Sequence, residues 1–134
     1  MTTRIACTVA VLVHLAVVLL HGRAHEALRV GLNAWQNVFV LVVIVIAPLI
    51  AMLLVWTRIA RLGLWVLVVS MAGSLIFGAI YHYVNISPDH VSHLPAGDAQ
   101  GTFRTTAVLL ILTELLGIVV GLWALQFKTK SIRT

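Results

Sequence analysis

The sequence predicts an all-α integral membrane protein, a single domain over residues 1–134 in which four transmembrane helices form an antiparallel, up-and-down bundle. Of the 134 residues, 61% are apolar and only 10% are charged, and the mean hydropathy is +1.08. Four stretches are each long enough to cross the roughly 30 Å apolar core of a bilayer as a helix. No stretch alternates apolar and polar residues as the strands of a membrane β-barrel do. These observations exclude a disordered chain and a soluble enzyme with a charged surface.

The four predicted spans occupy residues 5–21, 37–56, 62–84 and 106–127. Because lipid offers no hydrogen-bonding partner to a peptide backbone, each span must be helical. The first span follows Arg4 as in a signal peptide, but no small-x-small cleavage pattern comes after it, so we expect it to be retained. Residues 57–61 leave room only for a tight turn, which makes the second and third helices antiparallel neighbours. Pro48 predicts a kink in the second helix.

Basic residues outside the spans indicate the orientation of the chain. One side of the membrane carries six basic residues and no acid: Arg4, Arg58, Arg61, Lys128, Lys130 and Arg133. The other side carries three arginines together with Glu26, Asp89 and Asp98. Because cytoplasmic segments are enriched in lysine and arginine, we expect both termini to be cytoplasmic, in a bacterial plasma membrane. The net charge of +5 is then a feature of topology, and the partner it indicates is the lipid bilayer rather than nucleic acid.

Small residues predict where the helices approach each other. The third helix presents Ser70, Ser74 and Gly78 at steps of four, and the fourth presents Gly117 and Gly121 as a GxxxG pair. Helices in lipid associate through close packing of small residues, so we expect these two faces to meet.

Five of the six histidines fall at the outer face. His21 and His25 stand one helical turn apart at the end of the first helix, His82 lies at the end of the third, and His90 and His93 lie in the second outer loop. This convergence of residues from three separate segments predicts a shared site. Imidazole is a ligand for zinc, copper, iron and nickel, and a carboxylate can complete such a site.

The outer loop adds a carboxylate to these histidines. Ser87, Pro88 and Asp89 form a helix-start pattern, which predicts a short helical turn with His90 and His93 on one side. The candidate ligands of a copper, zinc, iron or nickel ion are therefore His21, His25, His82, Asp89, His90 and His93. Haem held between His82 and either His21 or His25 is an alternative cofactor. The same histidines can also serve as hydrogen-bonded interface residues or as a proton-sensitive cluster.

A second polar feature lies inside the membrane. Glu114, His14 and Ser74 are each roughly 10–12 Å below the outer end of their own helix, as counted at 1.5 Å per residue. A charged side chain at this depth costs on the order of 3 kcal/mol and usually finds a polar partner. We therefore expect a buried pair between His14 and Glu114, with Ser74 or Thr113 nearby.

The function expected from these features is binding or handling of a transition metal ion at the outer face. A small subunit attached to a larger membrane complex, or a homo-oligomer, suits this role. No HExxH motif and no activated nucleophile is present, so we expect a binding protein rather than an enzyme. Three alternatives stay open: a purely structural accessory subunit, a small b-type haem protein, and an oligomeric transporter that uses Glu114.

Overall fold

The structure is a computed structural model that describes residues 2–130, with side chains described for residues 2–126. In this part of the chain the regular structure is all helical, and four helices are long and apolar enough to cross a membrane. Helix α1 comprises Thr2–Ala27, α2 Ala34–Leu54, α3 Ala60–Val84 and α4 Gln100–Lys130. The predicted all-α, four-helix membrane protein is confirmed. Three residues used for the orientation, Lys128, Lys130 and Arg133, and the last residue of the predicted fourth span lie outside the described side chains.

The helices are longer than the predicted spans at the outer face. Helix α1 continues to Ala27 instead of residue 21, and α4 begins at Gln100 instead of residue 106. Hydropathy reports only the part of a helix that lies in hydrocarbon, whereas backbone hydrogen bonding continues into the interface. Helix α2 also begins earlier than predicted because Asn33 caps it. The Asn33 side chain accepts a hydrogen bond from the Gln36 backbone at 3.0 Å, and the Gln36 side chain accepts one from the Asn33 backbone at 2.8 Å.

Two of the helices contain π-helical segments, which the sequence did not predict. One covers Val40–Ile46 in α2 and the other covers Ile80–Val84 at the outer end of α3. Pro48 follows the first segment after one intervening residue, Ala47. Because proline has no N–H group, the carbonyl of Ile44 lacks its normal helical partner, and the wider π turn lies next to this interruption. The kink expected at Pro48 stays a prediction.

Helix α4 packs against both α1 and α3, while α2 packs against α3 and reaches α1 through its inner half. The GxxxG pair of α4 faces α3: a Cβ atom on Gly121 would lie 2.6 Å from Val68 Cγ2, and one on Gly117 would lie 2.8 Å from Met71 Cγ. The inner half of the bundle is a continuous apolar core: Cys7, Val11, Ala51, Val55, Leu64, Leu67, Met71 and Ala124. Ser70 and Ser74 are buried on the same face of α3, and Gly78 is half-buried one turn further out.

The loops at the outer end of the bundle form a cap over the ends of the helices. A second apolar cluster joins the end of α1 to the second outer loop and the start of α4: Ala24, Leu28, Val30, Leu94 and Phe103. The chain turns back after α1 because Arg29 has a φ of 55°, the left-handed conformation that typically ends a helix. The second outer loop consists of turns and bends. The turn predicted after Ser87 closes through a hydrogen bond from the His90 backbone to the Ser87 carbonyl at 3.0 Å, but it does not continue as a helix. The residues of this loop cover the outer ends of α1 and α3.

Candidate metal centre

Three imidazole rings meet under this cap. His21 and His25 come from the last turns of α1, and His82 comes from the π-helical end of α3. His21 Nε2 lies 3.1 Å from His82 Nε2 and 3.2 Å from His25 Nε2. One ligand atom from each of the three rings lies within 4.8 Å of the others. We call His21, His25 and His82 the histidine triad.

The local structure explains why these rings converge. Because α1 continues to Ala27, His21 and His25 lie one turn apart on the same face, as their spacing predicts. His82 lies within the Ile80–Val84 π-helix, where the wider turn alters the direction of the side chains. Phe103 is fully buried and forms one wall of the site, with its ring centroid 4.6 Å from that of His21 and 4.8 Å from that of His25.

Each ring of the triad is held in place through its other nitrogen. His25 Nδ1 donates to the Val30 carbonyl at 3.1 Å, and His82 Nδ1 donates to the Asp89 carbonyl at 3.1 Å. A carbonyl oxygen can only accept, so both Nδ1 atoms carry a proton, and in the neutral form of each ring the lone pair is then on Nε2. Metal-binding histidines are typically oriented in this manner, through the nitrogen that does not bind the metal.

The same reasoning applies to His21. Its Nδ1 lies 2.8 Å from the Thr106 hydroxyl, and that hydroxyl is also 2.7 Å from the Thr102 carbonyl. The Thr106 hydroxyl donates its single proton to the Thr102 carbonyl, which can only accept. Thr106 therefore accepts a hydrogen bond from His21 Nδ1. All three neutral rings then direct the lone pairs of their Nε2 atoms toward one point.

Asp89 supplies a carboxylate beside this point. Its Oδ1 atom lies 3.1 Å from His82 Nδ1 and 3.3 Å from His25 Nε2. The residue is 6% exposed, and its Oδ2 atom has no hydrogen-bond partner among the described residues. A buried carboxylate with an unsatisfied oxygen favours a nearby cation, since burial of an unpaired charge is costly.

The structure does not bring all six predicted ligands together. His90 and His93 form a separate pair, with their Nδ1 atoms 3.2 Å apart, and His93 is exposed. The predicted helical turn would have placed both rings beside Asp89. In the structure, successive turns close at Ser87 and His90 instead, through hydrogen bonds from the His90 and His93 backbones at 3.0 and 2.8 Å. Asp89 therefore points inward while His93 points outward.

The predicted pairing of His14 with Glu114 is also replaced by other contacts. His14 Nδ1 lies 3.2 Å from the Thr113 hydroxyl, whereas Glu114 accepts a hydrogen bond from Ser74. Both residues are buried. Because Thr113 and Glu114 are consecutive on α4, they face different neighbours, α1 on one side and α3 on the other. The matching depths were a correct guide to which helices meet, but they did not determine which atoms pair.

Four residues that support the triad were not identified from the sequence: Arg29, Val30, Phe103 and Thr106. Thr106 had one detectable signature, because it lies seven residues before Thr113 and therefore on nearly the same face of α4. Val30 acts through its carbonyl, which any residue would provide, so no sequence pattern marks it. Arg29 is in a left-handed conformation that favours glycine or asparagine, and its side chain gives no indication of this.

The fold and the site together define an integral membrane helical bundle with a buried histidine cluster that can hold a metal ion. Comparisons with protein-family models, curated proteins and solved structures find no match to the chain. The geometry of the site is therefore the basis for a functional assignment.

Proposed function

We propose that this protein binds one divalent transition-metal ion at its histidine triad, with Asp89 as the fourth ligand. The observation that carries the proposal is the convergence of three acceptor nitrogens. The Nε2 atom of His21 lies 3.1 Å from that of His82 and 3.2 Å from that of His25. Lone pairs on nitrogens this close repel each other unless a cation or a proton lies between them. The function that we propose is ion binding within the membrane, not catalysis.

The spacing of the nitrogens suits a metal ion. For metal–nitrogen bonds of about 2.0–2.1 Å, two ligands of a tetrahedral site lie about 3.3–3.4 Å apart. The two separations that involve His21, 3.1 and 3.2 Å, are within a few tenths of an ångström of this value, and all three ligand atoms lie within 4.8 Å of one another. Three imidazoles and one carboxylate form a ligand set suited to zinc, copper, iron or nickel.

Haem is a poorer fit to the same geometry. Two axial histidines would each lie about 2 Å from the iron on opposite faces of the porphyrin, and so about 4 Å apart. The 3.1 Å between the Nε2 atoms of His21 and His82 leaves no room for the macrocycle. The choice among the suitable metal ions follows from the cell's metal supply and from the access route.

The side of the membrane on which the site operates follows from the charge distribution. Arg4, Arg58 and Arg61 lie at the end of the bundle opposite the triad. Because cytoplasmic segments are enriched in basic residues, we assign this opposite end to the cytoplasm and the triad to the extracytoplasmic side. An ion site at one end of a transmembrane bundle suits a subunit that presents or receives the ion at that face, within a complex or an oligomer.

The proposal is tested by titrating purified, metal-stripped protein in detergent with Zn²⁺ and, separately, with Cu²⁺. We expect one equivalent to bind to the wild-type protein and to the His93→Ala variant, which removes an exposed histidine outside the triad. His82→Ala should weaken binding at least a hundredfold. Absence of binding to the wild type, or equal losses in the two variants, would refute the proposal.

A further inference from the structure

A cavity continues from the histidine triad into the bundle. Its volume is about 670 Å³. His21, His25, His82 and Asp89 line its outer end, and Ser74 and Glu114 line its inner end. Apolar side chains form the walls between the two ends: Val40, Ile44, Phe77 and Leu110. The site that we propose for the metal therefore shares one cavity with the acidic residue deepest in the membrane.

The Glu114 carboxyl group has only a partial set of partners. The residue is 2% exposed. Ser74 donates a hydrogen bond to Oε1, whereas Oε2 has no partner within the described residues. No arginine or lysine forms an ion pair with it in that part of the chain. A carboxyl group buried in this way either holds a proton or requires a cation nearby, because an isolated charge in hydrocarbon is costly.

The titratable groups around Glu114 come from α1, α3 and the second outer loop, which contributes Asp89; Arg23, His25 and Glu26 also line the outer end of the cavity. Helix α1 contributes His14, which contacts the neighbouring Thr113, and His21 at the outer end of the cavity. Helix α3 contributes His82, also at the outer end. Residues 40–54 of α2 and the other residues of α4 from 105 to 125 contain no titratable side chain. The cation nearest to Glu114 would therefore be a metal ion in the triad.

The histidine triad and Glu114 are close enough for a charge at one to influence a charge at the other. Thr106 contacts His21, and Glu114 lies eight residues further along α4, or about 12 Å. Side chains of a helix lean toward its N-terminus, which for α4 is the triad end, so the carboxyl group is closer than this. At about 10 Å and an effective dielectric constant of about 20, one net charge at the triad changes the proton affinity of Glu114 by about 15-fold. A charge on Glu114 changes the metal affinity of the triad by the same factor.

The charge balance gives this interaction a direction. Three neutral imidazoles, the Asp89 carboxylate and a divalent ion together carry one net positive charge. In a bilayer that excess charge is neutralised if Glu114 becomes a carboxylate. Ser74 already donates a hydrogen bond to one oxygen of this group, which stabilises the ionised form.

We infer that Glu114 carries a proton while the triad is empty and releases it when a divalent ion binds, so that metal binding is coupled to proton release from within the membrane. This inference rests on the proposed metal site. The balanced step is loss of one proton from the Glu114 carboxylic acid for each divalent ion bound. The proton leaves toward the exposed mouth of the cavity, where Gly22, Arg23 and Glu26 line its edge.

The test is calorimetric titration of metal-free protein with Zn²⁺ at pH 7 in buffers of different ionisation enthalpy, which counts the protons released. Because a 15-fold coupling shifts the protonation of Glu114 only in part, we expect the wild type to release up to about half a proton more than Glu114→Gln, and that variant to bind Zn²⁺ about fourfold more weakly. Ser74→Ala keeps the carboxyl group and should retain the proton release. Equal proton counts in the wild type and Glu114→Gln would overturn the inference.

Infrared difference spectroscopy of the wild type provides a second measurement that needs no variant to fold. Addition of Zn²⁺ should weaken the carbonyl band of a protonated carboxylic acid by up to about half. If Zn²⁺ binds in a His82-dependent manner without weakening this band, Glu114 is not the proton donor and the inference fails while the metal site stands. If Zn²⁺ does not bind to the wild type, the metal site and the inference fail together.

Discussion

The hydrogen bond between His21 and Thr106 offers a sharp test, because one atom can be exchanged without a change in volume. In Thr106→Val, a methyl group replaces the hydroxyl that accepts from His21 Nδ1 at 2.8 Å. The Nδ1 proton then has no acceptor in a buried site. The ring can avoid that loss by moving its proton to Nε2, but this tautomer cannot bind a metal ion.

The magnitude of the effect follows from the cost of that choice. Leaving a buried donor unsatisfied costs about 1–3 kcal/mol. Removal of the group that orients a metal-binding histidine typically lowers metal affinity by about 10- to 100-fold, or about 1.4–2.7 kcal/mol. The two ranges overlap, so we expect the dissociation constant for Zn²⁺ to rise by about 10- to 100-fold in Thr106→Val.

The assay is competition for Zn²⁺ between the purified protein and a chromophoric chelator. The matched control is Thr105→Val, which makes the same substitution one residue earlier at an exposed position of α4. The control should bind Zn²⁺ as the wild type does. An unchanged affinity in Thr106→Val, or an equal loss in both variants, would show that Thr106 does not orient a metal-binding ring.

Four further outcomes are expected. Arg29→Pro should weaken Zn²⁺ binding more than tenfold, whereas Arg29→Gly should not. The φ of 55° at this position is open to glycine but closed to proline, whose φ is near −65°. Similar Zn²⁺ affinities in the two variants would contradict a role of this turn in placing the triad. Gly121→Ala should lower the thermal unfolding midpoint, at a cost of about 1–3 kcal/mol, since its Cβ would lie 2.6 Å from Val68; Gly101→Ala, with nothing within 4 Å of its Cβ, should not. In intact cells an impermeant thiol reagent should label Asp98→Cys but not Arg58→Cys, and the opposite pattern would invert the orientation. Zn²⁺ affinity should fall as the pH is lowered, because protons compete for the imidazoles; an affinity independent of pH would exclude histidine ligands.

The membrane architecture could be predicted because it depends on a property that sums over many residues. A run of about 20 apolar residues is sufficient to specify a span, whatever its detailed packing. The convergence of His21, His25 and His82 could also be predicted, since helices that alternate direction bring the end of α1 and the end of α3 to the same face. The sequence spacing of His21 and His25 then required only that α1 continue past the hydrocarbon, which it does.

The prediction was less successful where a few local hydrogen bonds decide the outcome. His90 and His93 lie in consecutive turns, and a one-residue change in where a turn closes redirects a side chain. The pairing of Glu114 with Ser74 instead of His14 depends on a small rotation of α4. The π-helix that contains His82 has no composition that distinguishes it from the α-helix before it. Such features arise from the balance of contacts in the assembled bundle.

The most direct test of the central claim is the zinc X-ray absorption spectrum of the purified, Zn²⁺-loaded protein. We expect a first shell of nitrogen and oxygen atoms at about 2.0–2.1 Å, with the outer-shell scattering of three imidazole rings. His82→Ala should reduce the number of imidazoles to two, and His93→Ala should leave it at three. A wild-type spectrum with fewer than two imidazoles, or with water oxygens alone, would contradict the proposed coordination by His21, His25 and His82.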